Sequence, residues 1–247
     1  HGPFGDQLAN VTVRLPFGGD EIEHISSDEI GAVLVEPIQG RGGKVVPPPE
    51  FLPRLRKWCD EHGAVLIFDE IYTGFFRTGK MFACEWDGVV PDLICLGKAL
   101  SGGFPISACV GKESVMDAWP ESTGEALHTS TFLGNPVGCA MALASLEILK
   151  RAETGDMVKN AGCYLERALR NMEAPGIIEV RGRGMMWGVE LDRNAGALLG
   201  ELLKAGLIML ADGKEGNVLA FTPPYLISKE ETDFAIDTIA DMLAQGD

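Results

Sequence analysis

Two apolar runs near the middle of the chain each end on a polar residue, and this pattern most constrains the fold. Residues 64–68 (AVLIF) run into Asp69-Glu70, and residues 92–96 (DLICL) are followed by Gly97-Lys98. Both runs have the length and the Val, Ile and Leu content of strands buried on both faces, which is typical of a parallel sheet. Because ligands gather outside the carboxyl ends of strands in open α/β sheets, we expect Asp69 and Lys98 to share one cleft.

An acid and a lysine delivered to one sheet edge suit an aromatic cofactor that carries an aldehyde. Pyridoxal phosphate (PLP) needs a lysine for its Schiff base and an acidic partner for its ring nitrogen. Pairing with a pyridinium nitrogen favours the charged form of both groups. Such a pair would offset the free-energy cost of placing the Asp69 carboxylate at the end of an apolar strand. A lysine in apolar surroundings loses basicity, and we expect this of Lys98 because it suits an imine-forming amine.

Each of these residues also has an ordinary structural interpretation, and the residues alone leave both open. Asp69 would serve equally as a helix N-cap or as the partner of a loop arginine. Lys98 would serve as a lysine that extends along apolar surface at a strand end. Thr131 lies in residues 128–136 (HTSTFLGNP), whose hydroxyl and N–H groups either suit a phosphate or simply cap the next helix.

Alternating strands and helices predict an α/β fold in the first part of the chain. The apolar run 30–36, a helix over residues 50–62 and the strand at 64–68 form a βαβ unit with parallel strands. Gly63 stands where a helix C-cap glycine belongs. A further short strand is expected over residues 106–110.

A helix that begins at Asn135-Pro136 and runs to residue 150 is apolar almost all round. Asparagine suits the N-cap position, and proline suits the first helical position. A helix of this composition is expected to be buried, either beneath a domain junction or in a subunit contact.

The pattern changes after Arg151, where shorter strands and helices mix. We expect a helix at 157–172, strands near 177–180, 185–191, 207–209 and 218–221, a helix near 197–205, and a last helix that starts at Ser228 with Glu231 completing a capping box. This mixture predicts a smaller α+β domain. We therefore expect two domains, residues 1–151 and residues 152–247.

The overall composition argues against several classes of protein. A formal net charge of −15 argues against nucleic acid and anionic membranes as partners, because such binding calls for a basic patch. No apolar run is long enough to span a bilayer. Six cysteines occur singly, without zinc spacing, so we expect no metal site and reduced core thiols in a cytoplasmic protein: Cys59, Cys84, Cys95, Cys109, Cys139 and Cys163.

Taken together and in order, the polar motifs resemble the class III PLP-dependent aminotransferases of the ornithine, 4-aminobutyrate and omega-aminotransferase type. The stretches that carry the resemblance are VEPIQG at 35–40, DEIYTG at 69–74, RTG at 77–79, PD at 91–92, GKALSGG at 97–103 and residues 128–136. The resemblance implies PLP-dependent transferase fold type I, with a partial large α/β domain around a mainly parallel sheet and a smaller C-terminal α+β domain. It also implies a homodimer with shared active sites.

The resemblance assigns roles to individual residues. Lys98 would form the internal aldimine and move a proton between the substrate carbon and the cofactor, and Asp69 would pair with the pyridine nitrogen. Thr131 would reach the phosphate of the neighbouring subunit's cofactor. Glu36 would lie near Asp69 and the ring, and Ile71 would pack against one ring face.

Several positions depart from the family pattern. Tyr72 stands where the family usually has a glutamine that bonds the phenolic oxygen of the ring, and its hydroxyl would do the same or line the pocket. Phe76 replaces a glycine. Arg41 and Ala220 replace the glutamate and the arginine of a switchable carboxylate clamp, so we hypothesise that Arg41 anchors an acidic group of the substrate; exposure to solvent is the alternative.

The family's phosphate-binding glycine/serine turn and its aromatic-His-Gly motif would lie upstream of His1. Because the chain does not begin with methionine, we expect that the N-terminal part of a longer protein is absent.

The predicted function is a transaminase that moves an amino group between an amine or amino acid and a 2-oxo acid by a ping-pong mechanism through the Lys98 aldimine. Two alternatives stay open. One is a racemase, aminomutase or decarboxylase of the same fold. The other is an inactive fragment that acts only as a structural or partner-binding domain.

Overall fold

A computed structural model describes residues 12–26, 30–118, 121, 123–124 and 131–245 of the chain. Its first sheet has four strands in the order β1-β2-β3-β4: Ala32–Val35, Val65–Asp69, Leu93–Leu96 and Ala108–Gly111. The pairs β1–β2 and β2–β3 are parallel, and β3–β4 is antiparallel. The mainly parallel sheet predicted from the two apolar runs is therefore confirmed.

Helix α1 (Phe51–His62) crosses from β1 to β2 and covers one face of this sheet. Its buried side chains follow helical spacing and pack on the interior residues of β2: Phe51, Leu52, Leu55, Trp58 and Cys59. Gly63 ends the helix with a φ of +67°, and its N–H donates to the Cys59 carbonyl. The predicted helix and its glycine C-cap are both confirmed.

Helix α2 (Glu113–Met116) is a single turn that follows β4, and helix α3 spans Pro136–Leu149. The Asn135 side chain accepts hydrogen bonds from the N–H groups of Val137 at 3.0 Å and Gly138 at 3.2 Å, so the N-cap prediction is confirmed. Within this chain the expected burial is found on one face of α3 only, and burial of the rest in a subunit contact stays a prediction. Gly138, Ala142 and Leu149 of α3 are buried, and Leu146 packs partly against the same core cluster. Val137, Leu143 and Ile148 on this helix are exposed.

The second sheet is antiparallel throughout, in the order β5-β6-β8-β7: Ile177–Arg183, Met186–Leu191, Val218–Phe221 and Leu210–Asp212. Three helices accompany it: α4 (Ala152–Asn171), α5 (Gly196–Lys204) and α6 (Lys229–Gln245). Their apolar faces form one cluster with β6 and β8, centred on Trp187, Val189 and Leu219. This arrangement matches the predicted α+β pattern, whereas the division at residue 151 stays a prediction.

Two details of this part differ from expectation, and a third agrees with it. Helix α4 begins at Ala152, five residues before its predicted start, because the acidic first turn lacks the apolar spacing that marks a helix. Strand β7 is Leu210–Asp212 instead of 207–209. The capping box of α6 is confirmed, since the Ser228 hydroxyl accepts from the Glu231 N–H at 3.0 Å and Glu231 accepts from the Ser228 N–H at 2.8 Å.

The prediction of six core thiols is only partly correct. All six cysteines are free, and Cys59 and Cys84 are buried. Cys109 and Cys163 are exposed. The prediction failed for them because apolar sequence neighbours do not reveal which face of a strand or helix a residue occupies. In the part of the chain that the structure describes, no helix is both long enough and apolar enough to cross a membrane.

The loop that follows β2 is bonded directly to the second sheet. The Arg77 guanidinium donates to the Pro223 carbonyl at 2.7 Å, and the Met185 N–H donates to the Arg77 carbonyl at 2.9 Å. The backbone at Gly184, between β5 and β6, lies so close to the backbone of the loop after β2 that a Cβ atom at Gly184 would be 2.3 Å from the Thr78 carbonyl carbon. These contacts fix the second sheet against the loop that leaves the end of β2.

Asp92 fastens the start of β3 to its neighbours. Its carboxylate accepts hydrogen bonds from Arg56 on α1 at 2.8 Å, from the Leu66 N–H in β2 at 2.8 Å and from Lys112 after β4 at 2.7 Å. Burial raises the pKa of Asp92, but the hydrogen bonds from Lys112, Leu66 and Arg56 outweigh burial and hold this pKa at about 2.

We predict that Asp92→Asn lowers the free energy of unfolding by about 2 kcal/mol at pH 7, in line with a carboxyl pKa held below its unfolded value. A depressed pKa stabilises the fold above the unfolded pKa of 3.8 and loses that effect as pH falls toward 2. Urea unfolding should therefore show the difference between variant and wild type shrinking below about pH 4. Asp60→Asn is the matched control, because Asp60 also pairs with Arg56 but is 64% exposed; it should cost less than about 1 kcal/mol. Equal losses for both variants would contradict this account.

Candidate active site

Three polar residues emerge at the carboxyl ends of the three parallel strands. Glu36 follows β1, Asp69 is the last residue of β2, and Lys98 follows β3 after Gly97. The pKa of Glu36 is raised above its ordinary value, mainly by burial and also by the charge of Asp69. The hydrogen bond from the Gly40 N–H and the charge of Lys98 act in the opposite direction. Glu36 thus lies within electrostatic reach of both Asp69 and Lys98.

The backbone holds Asp69 in a defined orientation. One carboxylate oxygen accepts a hydrogen bond from the Ile71 N–H at 3.0 Å, which is an Asx-turn. Residues 71–78 form turns, so Asp69 does not cap a helix, and among the described residues it forms no ion pair. The second carboxylate oxygen is not used by this hydrogen bond and would be available to a protonated ring nitrogen.

Lys98 has an unusual backbone conformation and an aromatic neighbour. Its φ is +45°, in the left-handed region that non-glycine residues rarely occupy. Its ammonium lies 4.7 Å from the centre of the Tyr72 ring. The Lys98 side chain is exposed, so the expectation of apolar surroundings is wrong, although its neighbour Leu100 is buried.

Tyr72 lies between two ammonium groups. Lys44 is 4.6 Å from the same ring centre, and it donates to the Tyr72 hydroxyl at 3.2 Å. That hydroxyl in turn donates to Thr222 at 3.3 Å. A side chain at position 40 would place its Cβ 2.3 Å from the tyrosine ring, so Gly40 is needed for the close approach.

A buried ion pair behind Tyr72 was not predicted from the sequence. Lys44 is fully buried, and its ammonium contacts the carboxylate of Asp212, which is 2% exposed. The Arg41 guanidinium lies 2.8 Å from the other oxygen of Asp212, while the Arg41 side chain is 68% exposed. One carboxylate therefore faces two cations. No local pattern could have predicted this contact, because Lys44 and Asp212 are 168 residues apart.

Ile71 and Thr131 occupy different places. Ile71 packs beside the Lys98 loop, since a Cβ atom at Gly97 would lie 3.3 Å from the Ile71 side chain. Thr131 is exposed in the turn before α3, and no contact among the described residues brings it to the cleft of Asp69 and Lys98. His128 lies outside the described residues.

Glu70 supports the site without facing it. It is fully buried, and its carboxylate accepts hydrogen bonds from the N–H groups of Ala83 at 2.9 Å and Cys84 at 2.8 Å and from the Thr73 hydroxyl. These bonds fold residues 70–84 into a compact loop. Within that loop Phe76 has a φ of +70°, which explains why a glycine suits this position in the family pattern.

The groups around this cleft fit the ring end of PLP. Asp69 supplies a carboxylate for a pyridine nitrogen, Lys98 supplies a primary amine for an aldehyde, and Ile71 supplies an aliphatic surface for a ring face. We use the name strand-end cleft for the region at this sheet edge that carries Glu36, Asp69, Ile71, Tyr72 and Lys98.

Comparisons with known proteins agree with this assignment. A family model described as aminotransferase class-III matches residues 19–243. The chain is 41% identical to an ornithine aminotransferase of Bacillus subtilis over 242 residues, which are 97% of this chain and 59% of that protein. It is 38% identical to an acetylornithine aminotransferase of Methanosarcina mazei over 238 residues, 96% of this chain and 58% of that protein. The chain thus spans less than two thirds of the length of these relatives.

Solved structures show the same similarity. An acetylornithine aminotransferase from Elizabethkingia anophelis superposes with a TM-score of 0.84 at 31% identity, covering 94% of this chain and 60% of that one. An ornithine aminotransferase from Toxoplasma gondii superposes with a TM-score of 0.76 at 38% identity, covering 86% of this chain and 50% of that one. The latter is described as having PLP at partial occupancy at its active site.

We predict that Lys44→Met destabilises the protein by about 3 kcal/mol, because it leaves Asp212 buried without its buried partner. Adding Asp212→Asn to that variant should restore at least half of the loss, because the uncompensated charge is removed. Arg41→Met should cost less than about 1 kcal/mol, since its guanidinium is solvated. Urea unfolding of the three variants tests this, and a double variant no more stable than Lys44→Met would show that the buried charge is not the cause.

Proposed function

Because this chain belongs to the aminotransferase class-III family, we propose that it acts as a PLP-dependent transaminase. It would move an amino group between an amine or amino acid and a 2-oxo acid in two half-reactions that share one site. The observation that carries the proposal is the strand-end cleft, in which a carboxylate fixed by an Asx-turn and a lysine amine lie within electrostatic reach of the same residue, Glu36.

Each residue of the cleft has a distinct task in this proposal. Bound PLP supplies an electron-accepting ring. Asp69 holds a proton on the ring nitrogen through the carboxylate oxygen that the Ile71 N–H leaves free. Lys98 binds the aldehyde carbon through its amine and, once displaced by substrate, moves a proton at the substrate's α-carbon. Ile71 supports one ring face, and Glu36 adds negative charge beside Asp69.

Tyr72 carries a hydroxyl where the family pattern has a glutamine amide, and this hydroxyl would be the group available to the cofactor. Its hydroxyl accepts from Lys44 and donates to Thr222, so its orientation is set from the second sheet. Its ring lies 4.7 Å from the Lys98 ammonium and limits the positions that this amine can take. We propose that Tyr72 lines the pocket and orients Lys98.

We predict that Lys98→Arg and Lys98→Ala abolish covalent capture of PLP. Arginine keeps the charge but cannot form an imine at working pH, so the two variants separate charge from chemistry. One equivalent of PLP followed by borohydride reduction should add one pyridoxyl group to the wild-type chain at Lys98, as read by peptide mass spectrometry. Lys57→Arg is the control, because Lys57 is an exposed lysine on α1 that should leave capture unchanged. Equal labelling in the Lys98 variants would refute the assignment.

Arg41 is the residue we propose for an acidic group on the substrate. Its guanidinium is solvated, and the carboxylate it approaches is shared with Lys44, so the pair of cations keeps a net positive charge there. A planar guanidinium with free donors binds carboxylates well.

We predict that Arg41→Ala raises the KM for a dicarboxylic 2-oxo acid by about 10- to 100-fold, the range expected for one lost charge-assisted hydrogen bond. The KM for a monocarboxylic acceptor should change less than about threefold, because such an acceptor lacks the second carboxylate that Arg41 would bind. Lys98 labelling by PLP should be unaffected, which separates this proposal from the cofactor assignment. Parallel losses for both acceptors would argue against a substrate anchor at position 41.

We further propose that the protein is a homodimer. We also propose that it is cytoplasmic and that its chain forms two domains, residues 1–151 and 152–247. Thr131 lies away from the strand-end cleft, which is consistent with a contact to a second subunit's cofactor phosphate. The exposed apolar side chains beside it on α3 support a second copy as the covering surface, with Val137 57%, Leu143 65% and Ile148 52% exposed.

A further inference from the structure

Two cysteines lie directly opposite each other on neighbouring strands of the first sheet. Strands β3 and β4 are antiparallel, and Cys95 pairs with Cys109 in their register. The Lys112 N–H donates to the Asp92 carbonyl at 3.0 Å, which makes Asp92 and Lys112 a hydrogen-bonded pair. Hydrogen-bonded and non-hydrogen-bonded pairs alternate along an antiparallel ladder, so three residues further on Cys95 and Cys109 form a non-hydrogen-bonded pair.

Non-hydrogen-bonded pairs bring side chains closest together. Their Cα atoms are typically about 4.5 Å apart, which falls within the range of about 4.4–6.8 Å that a disulfide spans. The two thiols are near enough for a side-chain hydrogen bond between them. In the described chain both cysteines are free, so the pair is in its reduced form.

The two thiols differ in their access to solvent. Cys109 is exposed on β4, and Cys95 is half-buried on β3. Burial raises the pKa of Cys95, and the neighbouring Cys109 and Asp69 raise it further. Cys95 is also the register partner of Asp69 on β2, so the cysteine pair lies one strand away from the carboxylate of the strand-end cleft.

We propose that Cys95 and Cys109 are a redox modification site that forms a reversible cross-strand disulfide by exchange with small-molecule disulfides. The exposed Cys109 reacts first, as its sulfur bonds to one sulfur of the small disulfide and releases the other as a thiol. Cys95 then attacks the Cys109 sulfur, closes the protein disulfide and releases the second thiol. Two protein thiols are thereby oxidised by two electrons, the small disulfide is reduced to two thiols, and their protons pass to the released thiols.

The location explains why this pair, and not the other cysteines, would react in this way. Cys163 is also exposed, but it lies on α4, whereas Cys95 and Cys109 are held face to face. Two groups held in fixed geometry react at effective concentrations far above those of separate molecules. A disulfide between them would fasten the edge strand β4 to the strand that leads to Lys98.

The reduced chain, treated with 2-hydroxyethyl disulfide and then with an alkylating agent, provides the test. Compared with the reduced chain alkylated in the same way, the disulfide form should lack the alkyl groups on Cys95 and Cys109. Peptide mass spectrometry without reduction should show these two peptides joined, and dithiothreitol should restore the reduced form. This readout needs no cofactor or substrate, so its outcome is independent of the transaminase proposal.

Single serine variants give the controls. Cys109→Ser removes the exposed sulfur that reacts first, so Cys95 in that variant should take up at least about tenfold less small-molecule adduct than Cys109 does in Cys95→Ser. Cys95→Ser should leave the small-molecule adduct on Cys109, whereas Cys163→Ser should form the disulfide as the wild type does. Equal adducts on Cys109 and Cys163 with no joined peptide in the folded wild-type chain would overturn the proposal, and so would an adduct on Cys95 in Cys109→Ser as abundant as that on Cys109 in Cys95→Ser.

Discussion

Parallel hydrogen bonding among β1, β2 and β3 is the constraint on which the site depends. Because the three strands run in one direction, the residues that follow them emerge at one edge of the sheet. The ladder continues one step beyond the last paired residue of β2, where the Glu70 N–H donates to the Cys95 carbonyl at 3.0 Å. This bond keeps the departing loops of β2 and β3 side by side, so that Asp69 and Lys98 reach the same cleft.

The cleft also depends on the second sheet, although that sheet supplies none of its reactive groups. Asp212 at the end of β7 holds Lys44, and Thr222 just after β8 accepts from Tyr72. Arg77 and Gly184 fasten that sheet to the loop after β2. A shift of the second sheet would therefore move Tyr72 and, with it, the neighbour that limits Lys98. The two parts of the chain act on the site as one unit.

The sequence predicted the features that arise from local patterns. Apolar runs located β2 and β3, glycine at 63 marked the end of α1, and Ser228 with Glu231 marked the start of α6. The polar residues at the strand ends followed from the parallel sheet and the family resemblance. Long-range contacts had no such signal: the burial of Lys44 against Asp212, the exposure of Lys98 and the open face of α3 depend on packing between segments far apart in the chain. The spacing of apolar residues predicts helices and strands, but it does not show which distant segment will pack against them.

In the proposed site, the amine of Lys98 and the carboxylate of Asp69 hold opposite ends of one cofactor ring. A crystal structure of this chain with PLP tests it most directly. The account predicts continuous density from the Lys98 Nζ atom to the cofactor and a ring nitrogen about 2.7–2.9 Å from an Asp69 carboxylate oxygen, the distance of a charge-assisted hydrogen bond. Density joined to another lysine, or a ring nitrogen turned away from Asp69, would contradict it.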